Sequence, residues 1–201
     1  MTAREMVAPL VRYDTAGLDE FAVSRAAIEG GAARFAERLM GTVFWYLLLG
    51  LPGLLIYRAN GAIADVIGRP SSRHVAFGFV PARLDDVLSL IPALVAGPVL
   101  ILSALFVPKS SPTAALQVWI QDLADRFLKS GYRGEGAMAG ALGVALGGPR
   151  LFDGASLPGK WIGAGRARAT DSDVDRALFL MAIAGLLFGL ALAGGIVSQA
   201  G

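Results

Sequence analysis

Cysteine is absent from this 201-residue chain, and histidine occurs once, at position 74. Without a thiol there is no disulfide, no thiolate metal site and no cysteine nucleophile, and the redox compartment is unreadable. A metal centre needs several convergent ligands, so the lone His74 reads as a surface residue of a polar loop. Charge is also scarce: 17% of the residues are charged, against about 25% in soluble domains. No GxxxxGK[ST] phosphate loop is present, which excludes a nucleotide fold of that type. The formal net charge of +2 comes without any basic cluster interleaved with aromatics, so nucleic acid is excluded as a partner class. The opening residues Met1-Thr2-Ala3-Arg4-Glu5 lack the apolar core and small-residue cleavage site of a secretory signal, and insertion is expected to rely on internal helices.

What the chain does have is apolar length. Hydrophobic residues make up 55% of it, the mean hydropathy is +0.59, and these residues are gathered into runs rather than spread as periodic stripes. The expectation is an all-α integral membrane protein, a single membrane domain over 1–201 with about three transmembrane helices plus amphipathic and membrane-flanking helices.

Residues 14–40 form a polar flanking helix with a modest apolar stripe at Phe21, Ile28, Phe35 and Leu39, capped by Asp14 or Thr15, with Asp19 and Glu20 in its first turn. The next run, 43–60, has an apolar part of only about 15 residues where a bilayer needs roughly 20. Gly50, Pro52 and Gly53 interrupt it. It is read as the first span, with a broken or re-entrant helix as the alternative; Phe44, Trp45, Tyr46 and Tyr57 near its ends suit an interfacial aromatic belt. Residues 87–107 carry no charge and are long enough to cross, with kinks expected at Pro92 and Pro98. Residues 113–129 form an amphipathic helix with Leu116, Trp119, Ile120, Leu123 and Phe127 on one face. Residues 137–148 are apolar but short, a buried helix, and 150–170 read as an irregular polar loop. Asp171, Ser172 and Asp173 then start the last span, 177–197. Two small-residue ridges, Ser89/Ala93/Gly97 and Gly185/Gly189/Ala193, are expected to pair with each other inside the bundle. On three spans, about 14 Lys and Arg fall on the side of the N-terminus against about 4 on the other, which places the N-terminus in the cytoplasm. If the first run is re-entrant, the loop from Arg58 to Arg83 joins the N-terminal side and this argument weakens.

Two local patterns invite a chemical reading. The glycines at 140, 143, 147 and 148 superficially suggest a dinucleotide loop, but no strand precedes them and no acid follows at the required distance, so close packing is the better account. In Arg83-Leu84-Asp85-Asp86, paired carboxylates at a membrane boundary suit Mg²⁺ with a phosphate ligand. Capping the helix that follows accounts for them equally well without any ligand, and is favoured on local physics.

Longer blocks carry a family resemblance. Asp14-Thr15-Ala16-Gly17-Leu18-Asp19-Glu20, Arg25-Ala26-Ala27-Ile28-Glu29, and Phe44-Trp45-Tyr46-Leu47 through Leu51-Pro52-Gly53 to Tyr57-Arg58-Ala59 come first. Phe77-Gly78-Phe79 with Ala82-Arg83-Leu84-Asp85-Asp86, Ile91-Pro92-Ala93, and Ala137-Met138-Ala139-Gly140-Ala141-Leu142-Gly143 through Gly147-Gly148-Pro149-Arg150 follow in the same order. Together they resemble the CobD/CbiB type of adenosylcobinamide-phosphate synthase. The resemblance implies a membrane enzyme that joins an aminopropanol phosphate to a corrinoid carboxylate using ATP, and as ligand-binding positions it implies Arg25, Glu29, Arg83, Asp85 and Asp86.

The departures fall on polar positions. Where that family has A-E-N-x-x-D-G, this chain has Ala32-Ala33-Arg34-Phe35-Ala36-Glu37-Arg38. Its N-T-x-D is met in direct register by Gly61, Ala62, Ile63 and Ala64, and its S-P-N-A-G-W-P segment is replaced by Leu128-Lys129-Ser130-Gly131-Tyr132-Arg133-Gly134. Arginines expected near Leu94 and Ala145 are missing, and the resemblance starts after the family's first membrane helices and their D-P-x-x-x-P-H-P-V motif. Loss of polar positions on a retained apolar scaffold points to a non-catalytic relative: a structural or accessory subunit of a larger membrane assembly in the bacterial inner membrane, with lipids and other membrane subunits as partners. No catalytic residue or metal site is assigned. The alternative is a working ligase, with or without a second polypeptide, and only that reading calls for ATP and Mg²⁺. The structural alternative for the five ligand-binding positions is an ion-pair and capping network.

Overall fold

The computed structural model describes residues 2–11, 13–67, 79–126, 134–152 and 155–200; His74 and Phe127 lie outside them. A short helix α1 (Ala3–Val7) precedes α2 (Glu20–Arg34). The cap of α2 is Asp19, whose carboxylate accepts a 2.7 Å hydrogen bond from the Ala22 N–H, and not Asp14 or Thr15. Those two are used locally: Asp14 accepts from the Ala16 N–H at 2.9 Å and the Thr15 hydroxyl donates to the Arg4 carbonyl at 3.1 Å. Such side-chain bonds stabilise a turn at the expense of a helix start.

From Arg34 the chain continues through a π-helical segment (Phe35–Met40) into α3 (Gly41–Ile67) without a break between flanking helix and first apolar run. The break comes at Gly50, with φ 68° and ψ −153°, a conformation essentially closed to residues that carry a Cβ. Pro52 follows in the first turn of the second arm, where a missing N–H costs nothing. The chain doubles back there. Arg34 and Asp65, 31 residues apart, are joined at 2.8 Å, whereas a straight helix would hold them about 46 Å apart. The broken-helix alternative is therefore the path the backbone takes.

α4 (Phe79–Ser103) is already helical at its first described residue, eight residues before the expected start at 87, and keeps Pro92 and Pro98 within it. α5 (Pro112–Arg126) lies on α6 (Glu135–Leu142). Small residues set that contact: a Cβ on Gly140 would collide with the Ala114 backbone, and one on Gly136 would come within 2.8 Å of the Asp122 Cβ. Packing is thus the role of Gly140, as expected. The face of α5 turned inward carries Ala115 and Asp122, while Leu116 and Ile120 point outward, so the face read as one apolar stripe is divided between the protein and its surroundings.

The expected buried helix over 137–148 ends early. Gly143 takes φ +67° as its C-cap, and two small antiparallel pairings follow where a longer helix and an irregular loop were expected. β1 (Leu146–Gly147) pairs with β4 (Trp161–Ile162), and β2 (Arg150–Phe152) with β3 (Ala155–Leu157). Left-handed glycines at 143, 147 and 148 cannot extend a right-handed helix, and they terminate it. The last helix, α7 (Asp171–Ala200), is anchored by the fully buried Asp173. Its carboxylate accepts from the Thr170 N–H at 2.9 Å and meets Arg166 at 2.6 Å and Arg176 at 3.2 Å. Ile28, Met40, Leu100, Met138, Leu146 and Leu180 form the centre of the core, where α2, the π segment, α4, α6, β1 and α7 converge.

The stretches Glu20–Val66, Val80–Ser103 and Asp171–Gly195 are long and apolar enough to cross a bilayer, and the protein is an all-α integral membrane protein. The two small-residue ridges, Ser89/Ala93/Gly97 and Gly185/Gly189/Ala193, do not pair, contrary to expectation. Ser89 meets the Tyr57 hydroxyl at 3.2 Å, Ala93 is buried, and a Cβ on Gly97 would strike the Trp119 indole. The first ridge therefore serves α3 and α5. On α7, a Cβ at Gly185 would only touch Phe35 at 3.9 Å, and one at Gly189 would meet nothing within 4 Å. Ala193, the third member of that ridge, is exposed. The rings of Tyr57 and Trp119 lie against the first ridge, and the second ridge faces away from it. Gly140→Val is accordingly expected to destabilise the protein by about 1–3 kcal/mol through overpacking, and Gly189→Leu to stay within about 0.5 kcal/mol of the parent; thermal unfolding of each variant in the same detergent distinguishes them.

Candidate functional site

The return of α3 beside the π segment creates a polar cleft of about 130 Å³, lined by Arg34, Glu37, Arg38, Tyr57, Arg58, Asp65 and Asp85 among others. Each contributor is placed by a backbone feature. The π segment carries Glu37 and Arg38, an irregularity that is frequent at functional positions because it re-aims side chains. Gly41 lets the Tyr57 ring approach, since a Cβ there would collide with its hydroxyl. Tyr57 donates to the Glu37 carbonyl at 2.7 Å and stacks on Trp45 at 6.4 Å between centroids. Trp45 in turn donates to the Leu88 carbonyl of α4 at 3.0 Å. The cleft wall is thereby tied to both arms of the reversal and to the next helix.

Its charges are matched. Asp65 receives Arg34 at 2.8 Å and Arg38 at 3.1 Å on a single oxygen. Asp85 and Glu37 are buried, at 5% and 7% exposure, and Arg58 is the third guanidinium at the rim. Among the described residues, three guanidiniums thus line the cleft with three carboxylates. Asp65 stands one position beyond the aspartate that the resemblance puts at 64, so helix rotation at the end of α3 places an acid in the cleft that direct register reading misses.

The five residues singled out from sequence do not form one site. Asp85 lines the cleft. Asp86 lies next to it in the chain but about 100° round the helix, and it faces Arg83 at 3.9 Å. α4 is already helical at Phe79, so Asp85 and Asp86 lie inside the helix beyond its first turn. This removes the capping role favoured for them, and with both carboxylates aimed apart they do not form a paired magnesium clasp either. Ala82, Arg83 and Leu84 favour helix ahead of the expected start.

Arg25 and Glu29 belong to a different place, the seam between α2 and the β pairings. Glu29, 3% exposed, accepts the Gly147 N–H, meets Arg150 at 3.3 Å and accepts from the Tyr13 hydroxyl at 3.3 Å. Burial, and behind it the Glu29 carboxylate, push the Tyr13 phenol above its ordinary range. Arg25 donates to the Ala167 carbonyl at 2.8 Å and covers the Trp161 ring at 5.0 Å. This seam joins α2 to β1, β2 and β4. Arg34, Glu37, Arg38, Arg58 and Asp65 were not singled out from sequence, where the first three count only as departures from a motif. The signal that identifies them is the i, i+3, i+4 spacing of Arg34, Glu37 and Arg38, which puts all three on one helix face.

Comparison with known proteins agrees with the family resemblance. A family model described as CobD/Cbib protein matches residues 1–181. A "Cobalamin biosynthesis protein CobD" of Sinorhizobium sp is 40% identical over 176 residues, covering 86% of this chain and 54% of the relative. Proteins of the same name from Brucella suis biovar 1 and Rhodobacter capsulatus are 36% and 34% identical, covering 96% and 92% of this chain and 60% and 58% of their own lengths. The chain spans about half the length of the curated relatives it matches. No solved structure matches.

Removing Asp65 leaves two guanidiniums in the cleft without their shared acceptor. Asp65→Ala is expected to cost about 1–3 kcal/mol. Lys160→Ala breaks the exposed pair with Asp125, whose partners are 63% and 51% accessible, and should cost well under about 1 kcal/mol. Parallel melting curves in one detergent test the contrast.

Proposed function

The chain belongs to the CobD/CbiB family, and from that membership we propose that it acts as a non-catalytic structural or accessory subunit of a larger membrane assembly, in contact with lipid and with other membrane proteins. One observation carries this reading: Arg34 and Arg38, which stand where the family resemblance calls for asparagine and glycine, occupy the cleft and are both bound to Asp65. Ligation driven by ATP needs positive groups and Mg²⁺ held ready for charge that develops on phosphate oxygens. Among the described residues of this cleft, guanidiniums and carboxylates are matched in number, with no surplus charge of either sign for such a ligand. The space is also small, about 130 Å³, against roughly 300–1,000 Å³ for pockets that enclose a small molecule.

A second reading, a working ligase completed by another polypeptide, draws on Asp85. This retained motif residue does project into the cleft, and with Arg34 and Arg38 displaced by a partner it would be positioned to hold Mg²⁺ beside a phosphate.

The two readings separate on the purified protein. The chain, extracted from its native membrane in mild detergent, is expected to retain co-purifying membrane proteins. It should show no Mg-ATP binding by calorimetry and no ATP-dependent joining of aminopropanol phosphate to adenosylcobyric acid. Binding or turnover that disappears in Asp85→Asn would overturn the accessory role and establish the ligase reading.

A further inference from the structure

We propose that Trp45 and Tyr57 form a latch on the cleft. Stacked on each other, they close two gaps in helical hydrogen bonding at once, one in the π segment and one in α4, so the two walls move together and release of the pair opens the cleft to water.

The first gap is at Glu37. The Gly41 N–H still follows the π pattern and donates to the Ala36 carbonyl. From Thr42 on, α3 returns to the ordinary helical bond, which serves the carbonyl of Arg38. The change of pattern passes over the Glu37 carbonyl, and this is the oxygen that receives the Tyr57 hydroxyl at 2.7 Å. The second gap is at Leu88. Pro92, inside α4, has no N–H to give to the carbonyl one turn before it. That carbonyl belongs to Leu88, and it receives the Trp45 indole N–H at 3.0 Å. Each interruption of the backbone is thus met by a side-chain donor from the reversal, Trp45 on its first arm and Tyr57 on its second.

The two donors act as one body. Their rings stack at 6.4 Å with 30° between the planes. The Tyr57 hydroxyl, with its proton given to Glu37, accepts from the Ser89 hydroxyl at 3.2 Å, next in the chain to Leu88. Gly41 has no Cβ to exclude that hydroxyl. The cleft is what the pair holds: Glu37 and Tyr57 line it, together with Asp85, which lies one turn from Ser89 on the same face of α4. A π segment and a proline are both places where a helix bends. A buried carbonyl left there without a donor is costly, and water is the donor that replaces a lost side chain. Release of the rings therefore admits water between the π segment and α4.

Because the chain has no cysteine, a single one reports on the cleft without background. Gly61→Cys is placed inside it, where a Cβ meets the Asp85 Oδ1 at 3.6 Å, an ordinary contact. Ala16→Cys, at an exposed position, controls for the rest of the fold. The full chain in mild detergent is treated with a charged, water-soluble maleimide. Trp45→Phe and Tyr57→Phe each keep a ring and lose the donor. Each should speed labelling at position 61 about fivefold, the scale of one lost hydrogen bond, with position 16 unchanged. Combined, they should give no more than either alone, since one latch is released once. Pro92→Ala supplies the N–H that Leu88 lacks, so adding Trp45→Phe to it should leave the Pro92→Ala rate unchanged. Unaltered labelling in both single variants, effects that multiply in the double variant, or an undiminished effect of Trp45→Phe beside Pro92→Ala each overturns the latch. If Trp45→Phe alone does not fold, it should fold together with Pro92→Ala; failure to fold in that background overturns the latch as well.

Discussion

The contact of Arg34 and Arg38 with Asp65 is the constraint on which the architecture turns. Gly50 permits the chain to reverse but does not determine where the second arm comes to rest. A double ion pair on one carboxylate oxygen does, because two guanidiniums left half-buried without their acceptor would be costly. With the second arm held there, Tyr57 reaches the Glu37 carbonyl, Trp45 stacks beneath it, and Asp85 of α4 is enclosed. The same contact shapes the cleft and neutralises it.

This dual effect bears on how the family scaffold accommodates added charge. Arg34 and Arg38 replace positions that the resemblance gives to asparagine and glycine, and they add charge inside a bundle where an unpaired ion is expensive. Asp65, one residue from the expected acid, supplies the compensation. The retained blocks are those in contact with the fold: Phe44 to Tyr46 and Tyr57 at the reversal, Arg25 and Glu29 at the seam with the β pairings, and Gly140 beneath α5. Agreement with the family pattern at Arg25 and Glu29 therefore has a structural explanation. Arg25 rests on Trp161, and Glu29 satisfies the Gly147 N–H and Arg150.

Glycine enters the structure by two physical routes. At Gly50, Gly143 and Gly147 the backbone takes a positive φ, and each position changes the direction of the chain. At Gly41, Gly97 and Gly140 the conformation is ordinary, and the missing Cβ makes room for Tyr57, Trp119 and the Ala114 backbone respectively. On α7 the ridge of Gly185, Gly189 and Ala193 does neither. Among the described residues a Cβ on Gly189 would meet nothing within 4 Å and Ala193 is exposed, and a repeat of small residues does not by itself make an internal contact. Close helix approach needs a partner surface as well as an absence of bulk.

What the sequence determined by itself is what depends on composition and on contiguous pattern: an all-α membrane protein, the apolar runs in α4 and α7, an acidic start to the last helix, and membership of the CobD/CbiB family. These follow from the transfer of apolar length out of water, and from blocks of residues that remain in order. The tertiary structure decided whether the run around Gly50 continues or reverses, since spanning and broken helices share one hydropathy profile. It also decided that Asp85 faces a cleft while its neighbour Asp86 turns away, and that Arg34 and Arg38 meet Asp65 across 31 and 27 positions. Long-range ion pairs of this kind leave no periodic trace, because their energy depends on distance in space and on burial, and neither quantity is written along the chain.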